Sequence, residues 1–429
     1  MKLALISLGC PKNQVDLEHF AGSLSEQITL TPYLDEADIV VINSCGFIRE
    51  AVEETLTTLS ITRESVKSGV KIALMGCLPE RYRASLPESV YKADFIAGVN
   101  EFDKLCDYIR SLDKELFIKA DTAERCILNP PTYAYLKISE GCSNRCTYCT
   151  IPQIRGDHRS FEREALLEEA RSLAEKGVKE IILIAQDITK YGRDRYDGYY
   201  LPELLDELAA AFSSIYFRLL YLNPDGISDE LIKVVQKHEN IIRYFDIPLQ
   251  HVSDNILRQM GRHYNIDEAK NVLDKIRSAL PDAFIRSTFI VGFPGEAEDD
   301  FKLLIDFLKE YKPDYAGFFI YSSEIGTPAQ KFPKKVAKKR AIERLKKLQT
   351  VQKNNTLTRL KKLKGEEISI FVDQPNKEHN FVLESHALFQ TPEIDGITYV
   401  IKGRADRGVG LYKAKIKRVI YPDIFVELI

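Results

Sequence analysis

The sequence contains no segment that is long and apolar enough to span a membrane, although the chain has 429 residues. Its first residues, MKLALISLGC, include an apolar run that is too short for a secretory signal and is interrupted by Ser7. We therefore expect a cytoplasmic protein, in which cysteines stay reduced. Tryptophan is absent and only three methionines occur, which indicates no particular function.

The chain also has little net charge, −3 at pH 7, so its average charge gives no evidence for or against a nucleic-acid partner. Its seven histidines show no metal-ligand spacing, and we assign none of them to a metal. Eight cysteines remain, and in a reducing compartment they indicate metal or redox chemistry rather than a disulfide framework. The length predicts two to four domains with ordinary cores.

Three cysteines lie in one short stretch, EGCSNRCTYCTIPQIR, from Glu140 to Arg155. Cys142, Cys146 and Cys149, called the loop set below, have the spacing C-x3-C-x2-C and can present three thiolates to one metal centre. Structural zinc normally has four ligands, whereas an iron–sulfur cluster held by three cysteines keeps one iron open for a substrate or cofactor. A zinc site completed by a residue elsewhere in the chain is the alternative.

Three further cysteines each follow an apolar segment, and helical patterns separate these segments. This alternation predicts a doubly wound parallel α/β domain, whose ligands lie outside the carboxyl ends of the strands. Cys10, Cys45 and Cys77, called the strand-end set below, are therefore expected to meet at one edge of the sheet. A single cysteine more often packs as a small apolar residue, and we expect this of Cys106 and Cys126.

Six further apolar strands, most of them separated by helical patterns, predict a partial (βα)6 barrel of the TIM type. Its active face is expected at the carboxyl ends of the strands, where the loop set follows the first strand. His251, at the end of the fourth strand, is a candidate base or a packed histidine. The remaining strand ends supply cofactor-binding candidates: Gln186, Asp187, Gln250, Gly292 and Glu296.

The cysteine loop resembles that of the radical S-adenosylmethionine (SAM) superfamily. The N-terminal motifs SLGCPKN, INSCGF and MGCLPERY are similar to those of its methylthiotransferases. IPLQHVSD (247–254) and YSSEIGTPAQKF (321–332) resemble the RimO branch, which modifies ribosomal protein S-twelve. The resemblance covers nearly the whole chain, and tRNA-modifying relatives more usually carry other residues at these motifs.

The resemblance implies that the loop set holds a 4Fe-4S cluster whose open iron binds S-adenosyl-L-methionine, with Tyr148 packed against the adenine or serving only as a loop-packing aromatic. It implies a second 4Fe-4S cluster on the strand-end set, which carries the sulfur to be inserted, and a second S-adenosylmethionine as the methyl donor. The target implied is the β-carbon of an aspartate in ribosomal protein S-twelve, and an electron donor such as flavodoxin or ferredoxin is a further expected partner.

Two alternatives remain open. The same chemistry acts on a tRNA adenosine in related enzymes, and a non-enzymatic iron–sulfur electron carrier is a hypothesis of another class. Carriers normally close each cluster with four protein ligands, so two sets of three cysteines favour an enzyme.

Residues 334–364 contain thirteen lysines and arginines and one acidic residue, Glu343. This helical stretch is either a solvated linker or a contact to ribosomal RNA. From Gly365 the pattern changes to short strands that resemble the small all-β TRAM barrel of these enzymes. The predicted domains are thus 1–128, carrying the strand-end set, 129–333, the radical SAM core, the basic helix 334–364, and the TRAM domain 365–429.

Overall fold

The structure is a computed structural model that describes residues 1–24, 28–113, 125–375, 382–403, 405 and 408–429. The first sheet has five strands in the order β2-β1-β3-β4-β5, and all its paired neighbours are parallel. These strands are β1 (Lys2–Ser7), β2 (Thr29–Leu30), β3 (Ile39–Ser44), β4 (Lys71–Gly76) and β5 (Phe95–Ala97). Its helices are α1 (Pro11–Ser23), α2 (Arg49–Ser65), α3 (Cys77–Arg81) and α4 (Phe102–Leu112).

Apolar side chains cover both faces of this sheet. Leu17 of α1 and Leu105 of α4 pack against one face, whereas Val52 and Leu59 of α2 pack against the other. All six residues of β3 are buried, as expected for a central strand that helices cover on both sides. The prediction of a doubly wound parallel α/β domain is confirmed.

The second sheet has six parallel strands in the order β6-β9-β10-β11-β12-β13. They are β6 (Tyr133–Lys137), β9 (Glu180–Ile184), β10 (Tyr216–Leu219), β11 (Ile241–Gln250), β12 (Phe284–Val291) and β13 (Tyr315–Ile320). Between β6 and β9, two short strands form a separate antiparallel pair: β7 (Ser139–Glu140) and β8 (Arg159–Ser160). The helices are α5 (Ile151–Arg155), α6 (Arg163–Glu175), α7 (Leu201–Ala211), α8 (Asp229–Lys237), α9 (Asp254–Gln259), α10 (Ile266–Ala279) and α11 (Glu298–Tyr311). Because β6 and β13 are edge strands that do not pair with each other, the barrel is partial, as predicted.

Short 3₁₀ helices lie at Leu34–Glu36, Glu88–Lys92, Ile188–Lys190, Pro224–Gly226 and Pro328–Lys331. The long helix α12 (Lys338–Lys362) packs along β13 and α11. Among the helices of the described ranges, none combines the length and the apolar character that a membrane span requires.

The C-terminal strands close into a five-stranded barrel in the order β14-β15-β16-β18-β17. They are β14 (Glu367–Pro375), β15 (Leu383–Ala387), β16 (Thr398–Lys402), β17 (Gly410–Ile420) and β18 (Asp423–Leu428). Its core is continuous with residues of the central sheet, since Phe371 and Ile416 share a buried cluster with Tyr135 and Tyr244. His386 of β15 contacts Glu180, the first residue of β9, so the barrel covers the amino ends of the central strands and leaves the carboxyl ends free.

Candidate functional site

The strand-end set lies at the carboxyl edge of the first sheet. Cys45 directly follows β3 and Cys77 directly follows β4, whereas Cys10 comes three residues after β1 and precedes α1. Cys45 and Cys77 are buried and Cys10 is half-buried. Cys10 directly precedes α1, and Cys77 is the first residue of the five-residue helix α3.

Glycine is required beside two of these cysteines. Gly9 has φ +87°, and a Cβ there would lie 2.7 Å from Cys45 Cβ and 2.8 Å from its Sγ. Gly76 has φ +101°, and a Cβ there would lie 2.3 Å from Asn43 Oδ1. These positions let the strand ends approach closely enough to bring the three cysteines to one place.

Asn13 of α1 links the same strand ends. Its Nδ2 donates to the carbonyl oxygens of Leu8 at 2.9 Å and Ser44 at 3.0 Å. Its Oδ1 lies 3.5 Å from Cys77 Sγ. The contact places Asn13 beside one of the three sulfurs of the strand-end set.

The loop set is held by backbone hydrogen bonds. Cys142 N–H donates to Gly156 O at 3.1 Å, and Cys149 N–H donates to Cys146 O at 3.1 Å. Thr147, between the ligand candidates, donates from its N–H to Met260 O at 2.9 Å and from its hydroxyl to Gln259 O at 2.7 Å. The loop therefore owes its conformation partly to the end of α9.

A chain of polar side chains leads from the second central strand to the loop set. Asp187 accepts hydrogen bonds from Asn144 at 2.7 Å and Asn223 at 3.2 Å. Arg262 donates to Asn223 Oδ1 at 2.7 Å and to Cys146 Sγ at 3.5 Å. Asp187, a predicted cofactor contact, thus orients the loop in this structure.

Three other predicted cofactor contacts lie around the same face. Gln186 donates to Glu140 Oε1 at 2.9 Å, and its own Oε1 is buried without a partner among the described residues. Gln250 ends β11 with φ +67°. The ring of Tyr148 packs edge-on against Phe293 at a centroid distance of 6.5 Å. Their roles toward a cofactor stay predictions.

The turn after β12 contacts α12. A Cβ on Gly292, which has φ +75°, would lie 2.8 Å from the Cβ of Ala341. Glu296 accepts hydrogen bonds from the N–H groups of Gly292 and Phe293 and from Arg344, the last at 2.8 Å. The assignment of Gly292 and Glu296 to a cofactor also stays a prediction.

His251 is buried, and its Nδ1 accepts a hydrogen bond from Ser253 N–H at 3.0 Å. Burial lowers the pKa of His251 to about 3, so the imidazole is neutral at physiological pH. Of the two roles considered for His251, a catalytic base or a packed histidine, this environment matches the packed histidine.

Arg155 links the strand-end set to the segment that precedes the loop set. It ends α5, and its buried guanidinium donates to Glu140 at 2.7 Å and, across the junction with the first sheet, to Asp16 at 3.0 Å and Asn13 Oδ1 at 2.6 Å. The same group lies 3.7 Å from Cys77 Sγ. Arg155 therefore contacts the strand-end set directly and reaches Glu140, two residues before Cys142, on the other side.

A second buried ion pair holds the same two regions together. Arg81 of α3 donates to Glu324, in the loop after β13, at 2.7 Å, and both side chains are at most 5% exposed. Glu324 also accepts from Arg49 N–H at 2.9 Å. Because α3 begins at Cys77, this contact fixes the strand-end set against the central sheet.

Several of these residues were not predicted from the sequence. Arg155 and Glu140 stand within the stretch that carries the loop set, but nothing in their spacing indicates a partner in another domain. Arg262 and Glu324 lie far from any cysteine in sequence. Glu324 stands within the motif YSSEIGTPAQKF, and Arg262 lies eight residues after IPLQHVSD. This proximity to the motifs is the one sequence feature that could have indicated a role for Glu324 or Arg262.

Three of the thiols, those of Cys77, Cys142 and Cys149, have pKa values that keep them protonated in the absence of metal. Burial raises the pKa of Cys77 to about 12, that of Cys142 to about 11 and that of Cys149 to about 12. A bound metal deprotonates such thiols, so loading of either set releases protons.

Among the side chains that the structure describes, no three His, Cys, Asp or Glu residues converge as the ligands of a single ion would. The cysteines of a cubane cluster bind different irons and are therefore spaced more widely than the ligands of one ion. Two sets of three thiols, with the unpartnered Gln186 Oε1 near one of them, fit clusters that each keep an open iron.

Comparisons with known proteins agree with this geometry. Residues 136–308 match the radical SAM superfamily, and residues 2–98 match the family described as "Uncharacterized protein family UPF0004". The chain is similar to the radical S-adenosylmethionine methyltransferase TsrM from Kitasatospora setae, with a TM-score of 0.55, 12% identity and 76% of each chain covered. This likeness establishes the fold class of a radical SAM protein.

Full-length relatives narrow the class. A protein of Aquifex aeolicus named "Ribosomal protein uS12 methylthiotransferase RimO" is 38% identical, with 99% of this chain and 96% of that protein covered. A protein of the same name from Clostridioides difficile is 40% identical, with 93% and 92% covered. The chain belongs to the RimO family of radical SAM methylthiotransferases.

Proposed function

We propose that this protein attaches a methylthio group to the β-carbon of an aspartate in ribosomal protein uS12. The observation that carries the proposal is the similarity to RimO proteins over nearly the whole chain. The presence of two three-cysteine sets supports it, because the reaction needs one centre that starts the chemistry and another that supplies sulfur.

In this proposal Cys142, Cys146 and Cys149 hold a 4Fe-4S cluster, which supplies the electron that cleaves S-adenosylmethionine. Arg262 donates a hydrogen bond to Cys146 Sγ and offsets part of the negative charge of the thiolates. The free Oε1 of Gln186 accepts a hydrogen bond from the cofactor, whose other contacts come from Tyr148, Asp187, Gln250, Gly292 and Glu296.

Cys10, Cys45 and Cys77 hold the second 4Fe-4S cluster in this proposal. Cys45 and Cys77 are buried and Cys10 is half-buried, an environment with little water that would protect reactive sulfur and radical species from side reactions. Asn13 and Arg155 contact Cys77, and their hydrogen bonds would offset part of the negative charge of its thiolate.

The charge of the C-terminal domain favours a basic protein over RNA as the substrate. Residues 365–429 contain eight basic and ten acidic side chains, which is no footprint for RNA. Flavodoxin or ferredoxin is the proposed electron donor.

The test is anaerobic cluster reconstitution, followed by incubation with uS12 and, separately, with tRNA. We expect a methylthio mass gain on uS12 alone. A gain on tRNA and never on uS12 would replace the substrate assignment with that of the tRNA-modifying relatives.

Two alanine variants separate the roles of the sets. Cys146→Ala is expected to abolish deoxyadenosine formation, whereas Cys45→Ala is expected to retain it and to lose methylthio transfer. Continued deoxyadenosine formation in Cys146→Ala would remove the role assigned to the loop set. A colourless reconstituted protein without labile sulfide would instead indicate structural zinc.

A further inference from the structure

The exposed face of α12 and the segment before it form a continuous cationic surface. Eleven of the thirteen basic residues between 334 and 364 are exposed, and we call them the basic face: Lys334, Lys335, Lys338, Lys339, Arg340, Lys346, Lys347, Lys353, Lys361, Lys362 and Lys364. The whole stretch carries +12 in a chain whose net charge is −3. The remainder of the protein is therefore strongly acidic, at −15, and the positive charge is concentrated on one element.

The fold makes little use of this charge: among the described residues, the one cation–π contact of the basic face is that of Lys353 Nζ, 5.6 Å from the centre of the Tyr421 ring. Arg344 and Arg359 are the two basic residues of the stretch outside the basic face, and they form ion pairs with Glu296 at 2.8 Å and Asp314 at 2.9 Å. Within the described ranges, no residue of the basic face forms an ion pair. Leu348 and Leu360 supply the apolar contacts of the helix.

The N-terminal part of the basic face opposes helix stability, whereas Lys361 and Lys362 in the last turn of α12 interact favourably with the helix dipole. The first turn of α12 contains Lys338, Lys339 and Arg340 and no acidic residue. Cations near a helix N-terminus interact unfavourably with the helix dipole, and neighbouring lysines repel each other. A sequence that retains such an arrangement without an internal counter-charge is suited to an external polyanion.

The geometry fits an extended polyanion better than a compact one. α12 has 25 residues, so the face is about 37 Å long. Lys339, Lys346 and Lys353 recur every seven residues, which places them in one line along the helix. The helix itself passes Gly292 at Ala341 near its start, and the chain just after its end bonds to the C-terminal barrel, where Gly365 N–H donates to Ile416 O.

We propose that the basic face binds the phosphate backbone of small-subunit ribosomal RNA while uS12 occupies the active face. The proposal rests on the proposed function, because RNA surrounds a ribosomal protein in its subunit. Lysines dominate the face and no aromatic residue interrupts α12, a composition that binds phosphates and does not read bases. Binding is therefore expected to be insensitive to RNA sequence and strongly weakened by salt.

The test uses the full-length reconstituted enzyme and the triple variant Lys346→Glu, Lys347→Glu, Lys353→Glu. Its matched control reverses three exposed lysines on other elements, Lys67, Lys233 and Lys402, with the same change in net charge. Affinity is measured for purified small ribosomal subunits and for isolated uS12, over a range of salt concentrations. A second triple variant with glutamine keeps the helix propensity and removes only the charge.

We expect the basic-face variant to bind subunits at least about tenfold more weakly at roughly 0.1 M salt, with a salt dependence that is shallower by about one unit for each phosphate that it no longer binds. The control is expected to change affinity much less, and both variants are expected to modify isolated uS12 at the wild-type rate. Equal losses in variant and control would overturn the proposal, as would a preference of the wild type for free tRNA over subunits.

The same assay distinguishes an RNA contact from a contact with the electron donor. If the basic face receives an acidic electron donor, the variant loses activity with flavodoxin, keeps it with dithionite and binds subunits normally, which contradicts the RNA contact. If the wild type modifies neither isolated uS12 nor subunits, the proposed function fails independently of the basic face.

Discussion

The two cysteine sets are built in different ways. The three cysteines of the loop set come from one short segment, whose backbone also bonds to Met260 and Ala329 through Thr147. The strand-end set comes from three segments that only the parallel sheet brings together, and it depends on glycines and on Asn13. A locally encoded set tolerates changes elsewhere in the fold, whereas a set assembled by topology is sensitive to each strand end.

The largest expected effect comes from Gly9→Ala. The new Cβ would lie within 3 Å of both Cys45 side-chain atoms, and the positive φ adds roughly 1–2 kcal/mol of strain. We expect the strand-end set to lose its iron, leaving about half of the total, while deoxyadenosine formation persists. Iron content and cluster spectroscopy after reconstitution measure this.

Gly69→Ala is the matched control, because Gly69 has φ +94° and nothing within 4 Å of the added carbon. It carries the backbone strain without the contact to a cysteine. Equal iron loading of the two variants would show that the close approach of Gly9 to Cys45 is unimportant for the strand-end set.

Arg155→Gln tests whether the two sets depend on each other. The change leaves Asp16 and Glu140 buried with only Lys137 as a cationic partner. Breaking a buried ion network costs about 3–5 kcal/mol, so the urea midpoint of the apo protein is expected to fall clearly. Methylthio transfer is expected to fall more than deoxyadenosine formation.

Arg145→Gln provides the comparison from the same loop. Arg145 pairs with Asp157 at 2.5 Å, but both side chains are about two-thirds exposed, and such surface pairs contribute at most about 1 kcal/mol. If the two variants unfold at the same urea concentration, Arg155 does not hold the junction together.

The parts of this site that have a repeating or local signature were predictable from the sequence. The strands, the loop spacing and the equivalence of Cys10, Cys45 and Cys77 follow from periodicity and from the rules of parallel sheets. The partners of Arg155 and Arg262 do not, because a single long-range ion pair leaves no periodic trace. Gly292 and Glu296 are predicted to contact a cofactor; in the structure Gly292 packs against Ala341 of α12, and Glu296 accepts hydrogen bonds from its own turn and from Arg344.

A smaller effect is expected from pH, at the end of the central sheet opposite both sets. Burial opposes the charged form of His386, but the carboxylates of Asp373 and Glu180 outweigh it and raise its pKa to about 9. The stabilisation that protonated His386 gives through these two carboxylates is therefore complete below about pH 6.5 and is lost as the pH rises through about 9. A shift of this size corresponds to roughly 3 kcal/mol at most.

The measurement is the thermal midpoint of the apo protein from about pH 7 to 10. His386→Gln is expected to flatten the decline, whereas the exposed His263→Gln is expected to keep it. Iron loading of both sets at neutral pH is expected to be unchanged by either variant. A selective loss from one set would show that the C-terminal barrel supports that set.

The smallest effect is expected at the two cysteines outside both sets. Cys106 lies within α4 and packs at the edge of the apolar core between the first sheet and its helices α1 and α4. Cys126 donates from its backbone N–H to Glu18 O at 3.1 Å, a hydrogen bond that any residue except proline can make. Cys106→Ala and Cys126→Ala therefore lose only a small apolar contact, about 1 kcal/mol or less. Full iron content and unchanged methylthio transfer are expected for both. A loss of iron equal to that of Cys45→Ala would mean that a fourth thiolate closes one of the sets, and the open iron on which the proposed chemistry depends would then be absent.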